Sequence, residues 1–123
     1  MFKKILVVDD SENSRENVKN FLGRDYDFVE AIDGLDALSK LKEVKDLDLL
    51  ILDVNMPGLN GIQVVEEMAK DEEIKNVFTI ILTTEATLLM KEAVKKHRFV
   101  RCWIIKPVTA DLLSGAVKKI FKK

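Results

Sequence analysis

The run from Leu49 to Leu52 constrains the fold more than any other feature of the chain. It holds four large apolar residues without a break, and it ends at Asp53, shortly before Pro57 and Gly58. An uninterrupted apolar run of this length, closed by turn residues, is typical of a strand that is buried on both faces. We therefore expect the Asp53 carboxylate to stand at the carboxyl end of a central strand, where open α/β sheets bind their ligands.

Four more apolar runs have the length of strands, and an amphipathic segment follows each of the five. The predicted strands are residues 5–8, 28–32, 49–53, 77–82 and 102–105. This alternation predicts an α/β fold with a doubly wound, five-stranded parallel sheet and five helices in three layers. The pattern uses the whole chain, so we expect residues 1–123 to form a single domain with no output domain.

Local signals mark the helix ends, and apolar spacing predicts the helix faces that pack on the sheet. Ser11 or Ser14 can begin the first helix, and Gly23 can end it. Asp33 and Thr109 are candidate caps for the second and fifth helices. The predicted buried positions are Leu35, Leu38 and Leu41 in the second helix, Leu89, Ala93 and Val94 in the fourth, and Leu112, Leu113, Ala116, Val117, Ile120 and Phe121 in the fifth.

The composition indicates the class of protein and its cellular location. The apolar fraction of 47% and charged fraction of 33% are ordinary for a globular domain. The single cysteine, Cys102, cannot form an internal disulfide, which predicts a cytoplasmic location. The first apolar run, residues 5–8, is too short for a signal-peptide core or a membrane span, so we expect no membrane insertion.

The charges are unevenly distributed along the chain. Residues 1–90 hold 10 Lys and Arg against 19 Asp and Glu, whereas residues 91–123 hold 10 against 2. Such asymmetry indicates either a partner for the basic end or a set of solvated helix faces, and the sequence leaves both open.

Four of the five predicted strands end in reactive polar residues, which are Asp9 with Asp10, Asp53, Thr83 and Lys106. In a parallel sheet these ends meet at one edge. Each residue alone has a structural explanation as a helix cap or a solvated side chain. Three carboxylates crowded together repel each other, however, and a divalent cation such as Mg²⁺ relieves that repulsion. A lysine and a hydroxyl nearby then suit an anion that bridges to the metal, with a phosphoryl group as the obvious candidate.

These residues, in this order, resemble the motif set of the receiver domain of two-component response regulators. The resemblance extends over the full length and is nearest to the stand-alone, chemotaxis-type regulators. It implies the strand order 2-1-3-4-5 of the flavodoxin-like fold, with the site at the topological switch point. It also implies a cis bond between Lys106 and Pro107.

The resemblance further implies a role for each site residue. Asp53 is expected to accept a phosphoryl group from a histidine kinase, while Lys106 contacts the phosphoryl oxygens. Mg²⁺ is expected to bind Asp10, Asp53 and the backbone carbonyl of Asn55, with Asp9 reaching it through water. The protein would thus be a signalling module that catalyses only its own phosphorylation and dephosphorylation.

The switch and the output surface follow from the same resemblance. The Thr83 hydroxyl is expected to move toward the phosphoryl group, and Trp103 takes the place of the family's switch Tyr or Phe. Asn55 and Glu85 are expected to orient the hydrolytic water. The face formed by helix 4, strand 5 and helix 5 is the usual output side, and its basic charge suits an acidic downstream protein. We expect a monomer or weak dimer that does not bind nucleic acid directly.

Three other functions compete with this interpretation. A phosphatase of the haloacid dehalogenase type carries a second aspartate two residues after its nucleophile, where this chain has Asn55. A flavodoxin-like electron carrier needs a Ser/Thr/Gly-rich loop after strand 1, where this chain has Asp9 and Asp10. A direct nucleic-acid binder would rest on the basic end alone.

Overall fold

A five-stranded parallel sheet in the order β2-β1-β3-β4-β5 forms the centre of the computed structural model, which describes residues 2–122. The strands are β1 (Lys3–Val8), β2 (Tyr26–Ala31), β3 (Leu49–Asp53), β4 (Phe78–Thr83) and β5 (Val100–Ile105). The helices are α1 (Glu12–Leu22), α2 (Gly34–Glu43), α3 (Gly61–Ala69), α4 (Leu88–Lys96) and α5 (Ala110–Phe121). Every neighbouring pair of strands is parallel, which confirms the predicted fold and strand order.

Helices cover both faces of the sheet, so the domain has three layers. One cluster of buried side chains joins the sheet to α2, α3 and α4 and includes Val64 and Met90. The other joins it to α1 and α5 and includes Val18 and Leu113. All five residues of β3 are buried, as expected for the strand in the middle of such a sheet.

The predicted caps begin the helices in the structure. Ser11, rather than Ser14, is the N-cap of α1, and its side chain accepts a hydrogen bond from the Ser14 N–H. Asp33 and Thr109 cap α2 and α5 in the same way. Gly23 follows the end of α1 with φ of 83°, a conformation that favours glycine.

A close approach at the start of α3 places the loop that follows β3. A Cβ atom on Gly61 would lie 2.8 Å from the Cα of Val54, nearer than side-chain carbons ordinarily come to backbone atoms. The Gly61 N–H also donates to the Val54 carbonyl, at 3.4 Å. Glycine at this position therefore lets α3 pack against the residue that follows Asp53.

Three of the predicted buried leucines are exposed instead. Leu35, Leu89 and Leu112 are 70%, 76% and 55% exposed, so those predictions were wrong. In α4, Met90 faces the core in place of Leu89, while Ala93, Leu41, Leu113 and Val117 are buried as predicted. The prediction for the Val94 side chain lies outside what the structure describes.

Each helix within residues 2–122 lacks the length or the apolar character that a membrane crossing requires.

Candidate functional site

Asp53 ends β3 at the edge of the sheet, where its carboxylate is buried and hydrogen-bonded. The residue is 2% exposed. Its Oδ1 accepts hydrogen bonds from the Lys106 ammonium at 2.8 Å and from the Asn55 N–H at 3.0 Å. An aspartate this buried requires such partners, because burying an unpaired charge is costly. Asp53 and Lys106, which lie 53 positions apart in the chain, are therefore in direct contact at this edge.

Two further carboxylates lie beside Asp53. One oxygen each from Asp9, Asp10 and Asp53 lies within 4.8 Å of the others, close enough for all three to contact a single cation. Asp9 is buried and Asp10 is exposed. These oxygen donors are the kind that a hard divalent cation prefers, so the chemistry of the cluster fits a Mg²⁺ ion.

Asp9 has an environment that opposes its negative charge. Burial raises the pKa of its carboxyl from 3.8 to about 6, and the nearby Asp53 charge adds to the rise. The hydrogen bond from the Ser11 N–H, at 2.9 Å, and the Lys106 charge lower the pKa in part. A cation bound beside Asp9 would favour its ionised form, because an opposite charge stabilises a carboxylate.

Arg15 holds the backbone of the loop that carries the two aspartates. Its Nη1 donates to the backbone carbonyl of Asp9 at 2.8 Å, and its Nε donates to Glu30 Oε1 at 2.8 Å. Lys19 binds the other Glu30 oxygen at 2.8 Å, and these two cations lower the pKa of Glu30. This support was not predicted from the sequence. Its signal was slight, an arginine one turn into a polar helix, and only the pairing of β1 with β2 brings Glu30 to it.

Thr83 ends β4 beside this cluster, with its hydroxyl bound to the following backbone. Its Oγ1 donates to the Glu85 carbonyl at 2.8 Å and accepts from the Glu85 N–H at 3.2 Å. The Thr84 N–H donates to the Asn55 side-chain oxygen at 2.9 Å. Asn55 and Glu85 thus lie on loops that a side-chain hydrogen bond joins, although both side chains are exposed.

Lys106 is held at the end of β5 by its neighbours in the sheet. Its backbone N–H donates to the Thr83 carbonyl at 2.7 Å, and the bond to Pro107 is cis, as predicted. Lys106, Pro107 and Asp9 also line a surface cleft of about 230 Å³ that extends along α1 to Ser14 and Phe21.

Trp103 lies deeper along the sheet than the other predicted residues. It pairs with Ile81, whereas Thr83 pairs with Ile105 two positions nearer the edge. The indole is half-buried and packs against the cluster that contains Met90. The structure therefore brings the three aspartates, Lys106 and Thr83 to one edge, and it places Trp103 two positions further from that edge, against the core cluster that includes Met90 of α4.

Comparisons with known proteins agree with this geometry. The response regulator receiver domain family matches residues 5–118. The chain is 41% identical to the chemotaxis protein CheY-3 of Vibrio cholerae, over 98% of this chain and 92% of that protein. It is 37% identical to the chemotaxis protein CheY of Pseudomonas aeruginosa, over 98% and 97%. The solved structure of CheY4 of Vibrio cholerae has a TM-score of 0.86 at 30% identity, over 98% of this chain and 100% of that one.

The chain belongs to the response regulator receiver domain family. Members of the CheY type are phospho-accepting switches in two-component signalling, and they act as signalling modules rather than as ordinary enzymes. The match gives no support to the haloacid dehalogenase alternative.

Proposed function

We propose that the protein is a chemotaxis-type switch in which Asp53 accepts a phosphoryl group from a histidine kinase. One observation carries the proposal. The Asp53 carboxylate ends the most buried strand, contacts Lys106, and lies within 4.8 Å of oxygens from Asp9 and Asp10. One Asp53 oxygen would attack the phosphorus in line, so the phosphorus–nitrogen bond of the kinase histidine breaks and a phosphorus–oxygen bond forms.

Catalysis of this transfer requires positioning and charge neutralisation more than covalent help. Lys106 would move from the Asp53 oxygen to the phosphoryl oxygens, a short displacement because it already lies 2.8 Å from Oδ1. Asp10, Asp53 and the Asn55 backbone carbonyl would hold Mg²⁺, with Asp9 reaching it through water. When bound, the ion supplies positive charge that offsets the charge of the phosphoryl oxygens. Asn55 and Glu85 would orient the water that later hydrolyses the acyl phosphate.

The switch would be a change of partner for the Thr83 hydroxyl. In the structure this hydroxyl donates to the Glu85 carbonyl. A phosphoryl oxygen on Asp53 would offer a charged acceptor, and charge-assisted hydrogen bonds are the stronger kind. We propose that the resulting movement of the loop and of α4 changes the space around Trp103, which packs against the cluster that contains Met90 of that helix.

The output surface in this proposal is the face formed by α4, β5 and α5. Four large apolar side chains lie exposed there, Leu88, Leu89, Ile105 and Leu112, with exposures of 50% to 76%. Exposed lysines and arginines on the same elements include Lys91, Lys95, Lys96, Arg101, Lys118 and Lys119. Exposed apolar side chains on elements that also carry exposed positive charge fit an acidic, amphipathic segment of a downstream protein. Action as a stand-alone monomer or weak dimer in the cytoplasm stays a prediction.

Binding of beryllium fluoride, a phosphoryl mimic, tests the site without the kinase. We expect binding with Mg²⁺, a change in Trp103 emission on saturation, and no binding when Mg²⁺ is removed. Asp10→Asn should weaken Mg²⁺ binding while the fold is kept or stabilised, because one repelling charge is gone. Asp27→Asn, on the exposed part of β2, is the matched control. Unchanged Mg²⁺ affinity in Asp10→Asn would contradict the metal site, and an unchanged Trp103 spectrum would contradict the switch.

A further inference from the structure

The side chain of Asn55 joins the loop that follows Asp53 to the loop between β4 and α4. Its Oδ1 accepts a hydrogen bond from the Thr84 N–H at 2.9 Å. Its own backbone N–H donates to Asp53 Oδ1 at 3.0 Å. One residue therefore contacts both the acceptor carboxylate and a loop 29 positions away in the chain.

In the loop between β4 and α4, the Thr83 hydroxyl forms its hydrogen bonds with the backbone of the same loop. The Thr83 hydroxyl donates to the Glu85 carbonyl and accepts from the Glu85 N–H. The N–H of Thr84, the residue between Thr83 and Glu85, donates to the Asn55 side-chain oxygen. Movement of the Thr83 hydroxyl toward Asp53 would break its hydrogen bonds to the Glu85 carbonyl and the Glu85 N–H. The hydrogen bond from Thr84 to Asn55 holds the intervening residue in place.

We propose that the Asn55 side chain is a latch that stabilises the resting arrangement of this loop and so weakens the response to phosphoryl binding. The inference rests on the proposed function and adds a positioning role to Asn55. A ligand shifts an equilibrium only by its differential affinity for the two states. A hydrogen bond made only in the resting state therefore lowers the apparent affinity of the site for a phosphoryl group.

Asn55→Ala removes the latch and keeps the backbone N–H that binds Asp53. We expect it to tighten beryllium fluoride binding about 2- to 10-fold in the presence of Mg²⁺, the range that one exposed hydrogen bond contributes. Calorimetry measures this affinity without relying on Trp103. Because beryllium fluoride is not hydrolysed, the role of Asn55 toward hydrolytic water does not affect the result. Asn76→Ala, the same change in the exposed loop before β4, should leave the affinity unchanged.

Amide hydrogen exchange provides a second readout that a loss of global stability would not reproduce. In the free protein, Asn55→Ala should speed exchange of the Thr84 amide about tenfold relative to other loop amides. Asn55→Asp retains a side-chain oxygen acceptor and should keep the amide protected.

The outcomes separate the latch from the proposed function. Unchanged or weaker beryllium fluoride binding by Asn55→Ala, with normal binding by the wild type, would overturn the latch alone. An unprotected Thr84 amide in the wild type would also overturn it. If the wild type does not bind beryllium fluoride at all, the proposed function fails and the latch fails with it.

Discussion

The carboxylate edge of the sheet, formed by Asp9, Asp10 and Asp53, buries two of its charged side chains, whereas the α4–β5–α5 face exposes large apolar ones. At the edge, Asp53 is 2% exposed and Asp9 is 5% exposed, although aspartates are seldom buried. On the face, Leu88 and Leu89 are 73% and 76% exposed. The edge is stabilised by specific hydrogen bonds from Lys106, Asn55 and Ser11. Departures of this kind from the usual distribution of residues are expected at functional sites. In the function proposed above, the edge would hold a cation and a phosphoryl group, and the face would bind an acidic, amphipathic segment.

Two neighbouring residues of α4, Met90 and Leu89, should give the largest difference in the free energy of unfolding between a buried and an exposed side chain. Met90 is 2% exposed, so Met90→Ala should lower the free energy of unfolding by about 2–5 kcal/mol. Leu89→Ala should change it by less than about 0.5 kcal/mol, because Leu89 is mostly in solvent. Urea denaturation of the two variants measures both values. Equal losses would show that Leu89 is buried in solution and that the exposed face is not as described.

Asp9 gives the carboxylate edge a pH dependence of its own. Its folded pKa of about 6 lies above the ordinary 3.8, so between these values the folded state holds a proton that the unfolded state has released. Stability should therefore fall as the pH rises through this window, by up to about 3 kcal/mol. Denaturation midpoints from pH 4 to pH 7 (about the window that the shift defines) measure the slope.

Asp9→Asn should remove most of this dependence of stability on pH. Above the Asp9 pKa of about 6, Mg²⁺ should stabilise the wild type, because the ion favours the charged carboxylate. The exposed Asp27→Asn should retain the wild-type slope. A slope that persists in Asp9→Asn would assign the titration to another group.

Charge reversal on α4 gives the smallest expected effect and tests whether the basic face steers a partner. Lys95→Glu with Lys96→Glu should slow association with a synthetic acidic, amphipathic peptide several-fold at low salt, with little difference at high salt. Lys70→Glu, at the exposed C-cap of α3, is the control. Stopped-flow mixing measures the rates. If neither salt nor the reversal changes the rate, the lysines are only solvated surface.

The sequence predicted the carboxylate edge far better than it predicted the helix faces. Asp53, Thr83 and Lys106 come at the ends of apolar runs. The topology of a parallel sheet brings these ends to one edge independently of how the side chains pack. A helix face depends on a rotation about the helix axis. Leu89 with Ala93 and Met90 with Ala93 both satisfy helical spacing, and only packing selects the second pair.

The supporting hydrogen bonds could not be read from the sequence for a different reason. The contacts of Arg15 with Glu30 and of Asn55 with Thr84 join residues on separate elements. Arg15 is a polar residue in an ordinary helix position, and the place of Asn55 two residues after Asp53 does not indicate a contact with Thr84. Strand pairing and loop conformation decide such contacts, and both follow from the folded chain as a whole.

The most direct test of the account is whether Asp53 alone accepts the phosphoryl group. Wild-type protein and Asp53→Asn are incubated with acetyl phosphate and Mg²⁺, and their intact masses are compared. We expect the wild type to gain the mass of one phosphoryl group and Asp53→Asn to gain none, because the other two carboxylates lack the contact with Lys106 that Asp53 makes at 2.8 Å. A phosphoryl group that persists on Asp53→Asn would contradict the assignment.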